Sequence, residues 1–148
     1  MVLMDKKTTG NIIDQISKIR EAANLLIERE LAKRGIEGIV PAHGVVFKFL
    51  FQQKESIPIT TLVQKSGRAK STVTGIVKTL ERNGYIFRQP SREDGRSFHI
   101  GLTEKGWSIK SEFEEISDAL NSRVYGEMPS ENRDMLSKLL AKIEKNLG

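Results

Sequence analysis

Residues 69 to 86 read AKSTVTGIVKTLERNGYI, and their side chains sort by type and spacing into two sets. Val73, Ile76, Val77 and Leu80 recur at an interval that, at about 100° per residue, lines up one narrow apolar stripe on an α-helix. Opposite the stripe fall Ser71, Gly75, Lys78 and Arg82, flanked by Lys70, Thr72, Thr74 and Thr79. Such a face can donate hydrogen bonds from short hydroxyls, pair cations with phosphate, and let the backbone approach closely where Gly75 has no side chain. Low bulk and several donors suit the major groove of duplex DNA. The same pattern also describes an ordinary amphipathic helix with a solvated polar face, so its surroundings must decide between the two.

Charge placement favours the nucleic acid. Residues 65 to 96 hold eight cations, Lys65, Arg68, Lys70, Lys78, Arg82, Arg88, Arg92 and Arg96, against three acids, Glu81, Glu93 and Asp94. Eight minus three equals the net charge of +5 of the whole 148-residue chain, so the remainder is neutral in sum. A positive field confined to so small a part of the chain is expected where phosphates must be neutralised.

Other chemistries lack their residues. The chain has no cysteine, which excludes disulfides, thiolate metal sites and thiol redox sensing within it. Its two histidines, His43 and His99, are too few for a His-rich metal centre, and no cofactor or metal is expected. The segment GRAKST lacks the spacing and Gly-Lys pair of a nucleotide-binding loop, and no nucleophile stands with a base, so the chain is not expected to be an enzyme. No apolar run approaches the roughly 18 residues of a membrane helix, and the start MVLMDKKTTG has no secretory core, which points to a cytoplasmic protein without a membrane partner.

The elements that must hold the basic helix follow from punctuation and period. A short helix from Thr60 or Thr61 to Lys65 stops at Ser66-Gly67 just before it, giving a helix-turn-helix. Beyond Gly84 the period changes from 3.6 to 2, so Tyr85 to Gln89 and Ser97 to Leu102 read as strands, with Phe98, Ile100 and Leu102 on one face. Asp94-Gly95 is a hairpin turn signal, and Arg92 and Arg96 make the hairpin basic, like the wing of a winged helix. Upstream, Pro41 opens an almost continuously apolar helix holding Val45, Val46, Phe47, Phe49, Leu50 and Phe51, expected to be the most buried one. Downstream, Thr103 can cap a helix with Trp107, Ile109, Phe113, Ile116, Leu120 and Val124 on one stripe.

The two ends carry long amphipathic helices. After candidate caps Thr8, Thr9 and Asn11, apolar residues recur at Ile12, Ile13, Ile16, Ile19, Ala23, Leu26, Ile27 and Leu31, until Gly35 and Gly38 break the helix. At the other end Ser130 can cap a helix with Met135, Leu136, Leu139, Leu140, Ile143 and Leu147 at heptad-like spacing. Periodicity alone fits equally well with closing a monomeric core and with pairing between subunits.

With these helices before and after, TTLVQKSGRAKSTVTGIVKTLERNGYI and REDGRSFHIGLTEKG resemble the MarR family of transcriptional regulators. The most specific part is Asp94-Gly95-Arg96 followed by Leu102-Thr103 and Gly106. The resemblance implies a fold that is mainly α with a small β-hairpin wing, in a single domain over residues 1–148. It places a winged helix-turn-helix lobe at about 39–102, a connecting helix at about 103–126, and N- and C-terminal dimerisation helices at about 11–34 and 119–148. It implies a homodimeric repressor of transcription that binds double-stranded DNA at a pseudo-palindromic operator, recognition helix in the major groove and wing in the minor groove. The runner-up is a winged-helix protein-interaction module that does not bind DNA.

Carried over residue by residue, Arg96 matches the wing arginine that enters the minor groove, Asp94 the acid that orients it, and Ser71, Thr72 and Thr74 groove-facing positions. Arg68, Lys70, Gly75, Lys78, Arg82 and Arg92 complete the expected DNA-binding set, and Ile12, Ile16, Ile19, Leu136, Leu139, Leu140, Ile143 and Leu147 the dimer contacts. The family commonly binds small aromatic or amphipathic acids as effectors, for which Arg20, His43 and Phe47 are the candidates. Two positions depart from the family: Ala69 stands where a capping side chain is frequent, and Gly75 where a base-reading arginine is. Ser71 could then take over capping, and backbone charge should supply much of the affinity.

Overall fold

In a computed structural model describing residues 2–91 and 97–148, with backbone alone for residues 2–10, the chain begins with α1 (Val2–Lys33). A 3-10 turn (Pro41–His43) leads into α2 (Gly44–Phe51), β1 (Ile57–Pro58), α3 (Ile59–Ser66) and α4 (Lys70–Arg82). Then come β2 (Ile86–Pro90), β3 (Phe98–Leu102), α5 (Glu104–Ser108), α6 (Lys110–Tyr125) and α7 (Ser130–Leu147). The chain divides into two compact units, residues 1–116 and 117–148, with the division inside α6.

The core of the first unit is built on α2, whose Val46, Phe47 and Leu50 are buried, as its apolar run dictates. Leu62 of α3, the Val73, Ile76, Val77 and Leu80 stripe of α4, Ile86, Ile100 and Leu102 of the sheet, and Tyr85 close around it. Phe47 meets Phe51 and Phe113 face to face or tilted and Tyr85 edge-on, with centroids 5.6, 6.1 and 5.8 Å away, an aromatic cluster that fixes α2 against α6 and the start of β2. Each fully buried aliphatic contributes about 1.5–3 kcal/mol relative to exposure, so the α4 stripe binds that helix firmly to the lobe.

The sheet has the order β1-β3-β2, antiparallel throughout. Two strands were expected, and Ile57-Pro58 adds the third by pairing with His99 and Ile100. Two residues are too short to show a period of 2, which is why the sequence conceals them.

Three other expectations need correction. Helix α1 begins at Val2, so Thr8, Thr9 and Asn11 lie inside it rather than at its start. The segment before Asn11 contains no proline, and a helix once nucleated extends at little cost. Pro129, extended at φ −60° and ψ 151°, takes the cap position of α7, leaving Ser130 as its first helical residue. The single connecting helix is interrupted at Ile109, dividing it into α5 and α6.

Both long helices of the lobe leave through the same device. Gly35 (φ 66°) follows α1 with Ile36 N donating to Leu31 O at 3.0 Å and Gly35 N to Ala32 O at 3.1 Å. Gly84 (φ 83°) follows α4 with Tyr85 N donating to Leu80 O at 2.9 Å and Gly84 N to Glu81 O at 3.0 Å. These are Schellman closures, in which a left-handed glycine lets two amides satisfy the last carbonyls. In the second unit, Arg133 Nε donates to Met128 O at 2.9 Å while its guanidinium lies over the Tyr125 ring, fixing the turn between α6 and α7. Among the described residues no helix is long and apolar enough to cross a membrane.

Candidate nucleic-acid interface

The turn that presents α4 is built from α3 outward. Ser66 Oγ donates to Val63 O at 2.9 Å and accepts from Arg68 N at 3.2 Å, and Gly67 takes the left-handed conformation at φ 65°. Arg68 and Ala69 then lead into α4, whose stripe is 0–8% exposed. With that side sealed, the opposite face is fixed outward: Lys70, Ser71, Thr72, Gly75, Lys78 and Arg82 are exposed and Thr74 is half-buried. Arg68 joins them at the turn, so the structure brings every described member of the expected DNA-binding set onto one surface.

The chemistry of this surface is sharper than its composition suggested. No side chain caps α4, so of the two alternatives for its start, capping by Ser71 or ordering by DNA contact, the first does not occur, and the first amides of the helix lie uncapped beside the exposed Lys70, Ser71 and Thr72. Unclaimed amides at a helix start, next to a cation, suit a phosphate oxygen. A Cβ at Gly75 would meet nothing within 4 Å, so the glycine is not there for packing and leaves backbone uncovered mid-helix. Thr79, by contrast, turns its hydroxyl back onto Gly75 O at 3.1 Å.

Among the described residues no ion pair engages Lys65, Arg68, Lys70, Lys78 or Arg82, whereas Arg88 is committed. Its Nη2 lies 2.8 Å from Glu81 Oε1 on α4, and its guanidinium stacks over the Phe98 ring at 4.8 Å. Arg88 therefore belongs to the support of the wing and braces β2 and β3 against α4. The hairpin closes with Ser91 N donating to Ser97 O at 3.1 Å, and Arg92, Asp94 and Arg96 lie outside the described residues.

The far end of α4 is tied down repeatedly. Lys105 Nζ donates to Asn83 O at 2.7 Å and sits 4.4 Å from the centre of the Tyr85 ring. Thr103 caps α5 as expected, accepting from Gly106 N at 3.1 Å, and donates its hydroxyl to Gly84 O at 2.5 Å. Gly106 is forced, since a Cβ there would collide with Tyr85 O and the Leu102 side chain.

The effector candidates are dispersed. Arg20 is on the exposed surface of α1. His43 is buried, accepts Val40 N on Nδ1 at 3.2 Å, and burial pushes its imidazole below the ordinary histidine range. Phe47 has no exposed surface at all. Two hollows among the described residues of this unit are lined by other residues: one of about 370 Å³ by Leu50, Lys54, Phe87, Gln89, Gly101 and Trp107 among others, and one of about 310 Å³ by Glu28, Leu31, Ala32, Ile36 and Ile39 among others. Trp107, half-open to solvent, packs on Phe51 at 5.9 Å. The dimer candidates present a different picture. Ile12, Ile16 and Ile19 on α1 and Leu136, Leu139, Leu140 and Leu147 on α7 are exposed, and Ile143 is half-buried.

Comparison with known proteins agrees with this geometry. The sequence model of the MarR family matches residues 49–98, from the end of α2 to the first residue of β3. The HTH-type transcriptional repressor YetL of Bacillus subtilis is 29% identical over 131 residues, covering 88% of this chain and 77% of its own. A crystal structure of a Staphylococcus aureus MepR–DNA complex superposes with a TM-score of 0.77 at 20% identity, covering 93% of this chain and 96% of the other. A MarR transcriptional regulator from Methanosarcina mazei superposes at 0.73 with 22% identity, covering 93% and 97%. At such identities the two superpositions speak for the fold.

Proposed function

We propose that this chain, a member of the MarR family and hence a transcriptional regulator, works in the cytoplasm as a homodimeric repressor that binds double-stranded DNA at a two-fold operator. The observation that carries this reading is the exposed face of α4, with five cations in and beside it that no described ion pair engages. That MepR has been crystallised with DNA and YetL is named a repressor adds support.

In this reading α4 enters the major groove. Ser71, Thr72 and Thr74 offer hydroxyls to base edges, and Gly75 lets the helix backbone come close. Arg68, Lys70, Lys78 and Arg82, with the uncapped start of α4, hold phosphates. Arg92 and Arg96 of the wing are assigned to the minor groove, where an always-charged, weakly hydrated guanidinium is favoured, with Asp94 orienting Arg96. Because long side chains aimed at bases are few, phosphate contacts carry much of the affinity. The exposed apolar stripes of α1 and α7 are assigned to a second copy of the chain, which sets two reading helices about one DNA turn, roughly 34–36 Å, apart. An aromatic or amphipathic acid acting at Arg20, His43 and Phe47 requires the core around Phe47 to open.

The test is affinity selection of genomic fragments on the purified protein followed by footprinting. The expected footprint is a pair of related half-sites about one turn apart, weakened on every fragment by Arg96→Ala. Retention of no duplex at low salt overturns the reading and favours a protein-interaction module.

A further inference from the structure

The segment after α1 and the segment after α4 are joined by hydrogen bonds that the DNA-binding reading does not use. Asn83 Nδ2 donates to Gly38 O at 3.0 Å, and Tyr85 Oη donates to Glu37 O at 2.5 Å. The approach is close: a Cβ on Gly38, whose φ is 81°, would lie 2.8 Å from Asn83 Nδ2 and 2.9 Å from its Cγ. Both acceptors are main-chain carbonyls, so the bonds grip the backbone of the joint itself.

Neither side of this contact has slack. Residues 35–36 and 84–85 are held by their Schellman closures. Ile36 and Ile39 pack against the core on either side of Glu37 and Gly38. The Tyr85 ring is buried, wedged against Phe47 and covered by Lys105. Burial and the nearby charge of Glu37 push the Tyr85 phenol up, so it stays a donor through the neutral range. Arg34 ties the same end of α1 to Glu115 of α6.

We infer that this junction is a latch through which α1 dictates where the reading helix sits, making Tyr85 and Asn83 positioning residues that set the half-site spacing the protein accepts. The step rests on the proposed homodimer. If α1 is held in the dimer and α4 in the groove, a rigid path between them runs across the Glu37–Tyr85 and Gly38–Asn83 bonds. A junction so tied converts any displacement of α1 into displacement of α4, and loosening it lets each lobe find its half-site independently.

The experiment uses the full chain and duplexes carrying two copies of a selected half-site with the spacer varied one base pair at a time, plus a duplex with a single half-site. Tyr85→Phe keeps the ring and its packing while removing the hydroxyl, and Asn83→Ala removes the second bond. The double variant is expected to bind the single half-site like the wild type, while its discrimination between the best spacer and one altered by two base pairs falls about tenfold, within the usual range of coupling between sites. A purely structural role would lower thermal stability or affinity on all duplexes alike and leave the spacer profile unchanged; that result overturns the latch. If the double variant unfolds, the spacer profile of Tyr85→Phe alone decides, in the same direction. A wild type that binds duplex without any spacer preference removes the dimeric reading and the latch with it, whereas a wild type with a sharp preference shared by the variants removes the latch alone.

Discussion

Helices α4 and α7 carry nearly the same pattern and meet opposite fates. Each has an apolar stripe at helical spacing on an otherwise polar surface, yet the α4 stripe is 0–8% exposed while Leu136, Leu139, Leu140 and Leu147 of α7 are 38–78% exposed. Burying the stripe of α4 fixes the orientation of its other face, so the polar side becomes an aimed surface. On α7 the stripe itself is the surface on offer. Four large aliphatics left in water on one helix face mark an interaction site rather than a scatter of ordinary exposed apolar residues. One region is complete in a single chain, and the other, on the proposed homodimer reading, awaits a second copy.

The largest effect should come from breaking the complete region. Leu80→Ala opens a cavity under α4 and is expected to cost about 2–5 kcal/mol of stability. Chemical denaturation should return the same loss at every protein concentration. Leu139→Asp should leave the melting of the lobe nearly intact and weaken self-association by about 3 kcal/mol, on the order of a hundredfold in Kd. Sedimentation should then give a mass near the 16.7 kDa of one chain at micromolar concentration, and a wild type already at that mass would erase the contrast between the two helices.

Smaller changes sharpen the contrast. Gly75→Ala has open space for its methyl and should raise stability by about 0.5–1 kcal/mol. If the backbone there approaches DNA closely, the same variant binds duplex more weakly, so stability and affinity move in opposite directions. The smallest effect is that of His43. Its imidazole titrates below the ordinary value of 6.5 because burial disfavours the cation, so as pH falls the unfolded chain takes up this proton first. The contribution of His43 is therefore fully present above about pH 6.5 and declines as pH drops from there towards the depressed folded value. His43→Gln should flatten that decline in pH-dependent melts, equally at all protein concentrations because His43 lies in the complete region.

Much of this organisation is legible in the residues, for definable reasons. The α4 stripe, the exits at Gly35 and Gly84 and the cap at Thr103 follow from local rules of period and left-handed conformation. What covers a stripe is a tertiary fact, and α4 and α7 are indistinguishable in that respect until the chain is folded. Arg88 counts as one more cation in the sequence, and only the return of β2 towards α4 commits it to Glu81. The latch escapes any reading of side-chain patterns because half of it is the carbonyls of Glu37 and Gly38. His43 and Phe47 stand four residues apart, but spacing does not say that His43 ends the 3-10 turn before α2 or that both side chains are buried. Ala69, by contrast, signalled the uncapped start of α4 correctly.

Whether phosphate contacts carry much of the affinity of this basic face for duplex DNA is tested most directly by the salt dependence of binding to a selected operator. The expected log–log slope is about −5 or steeper, becoming shallower by about one unit for each of Lys78→Gln and Arg82→Gln. A slope near zero, or no binding at low salt, would contradict it.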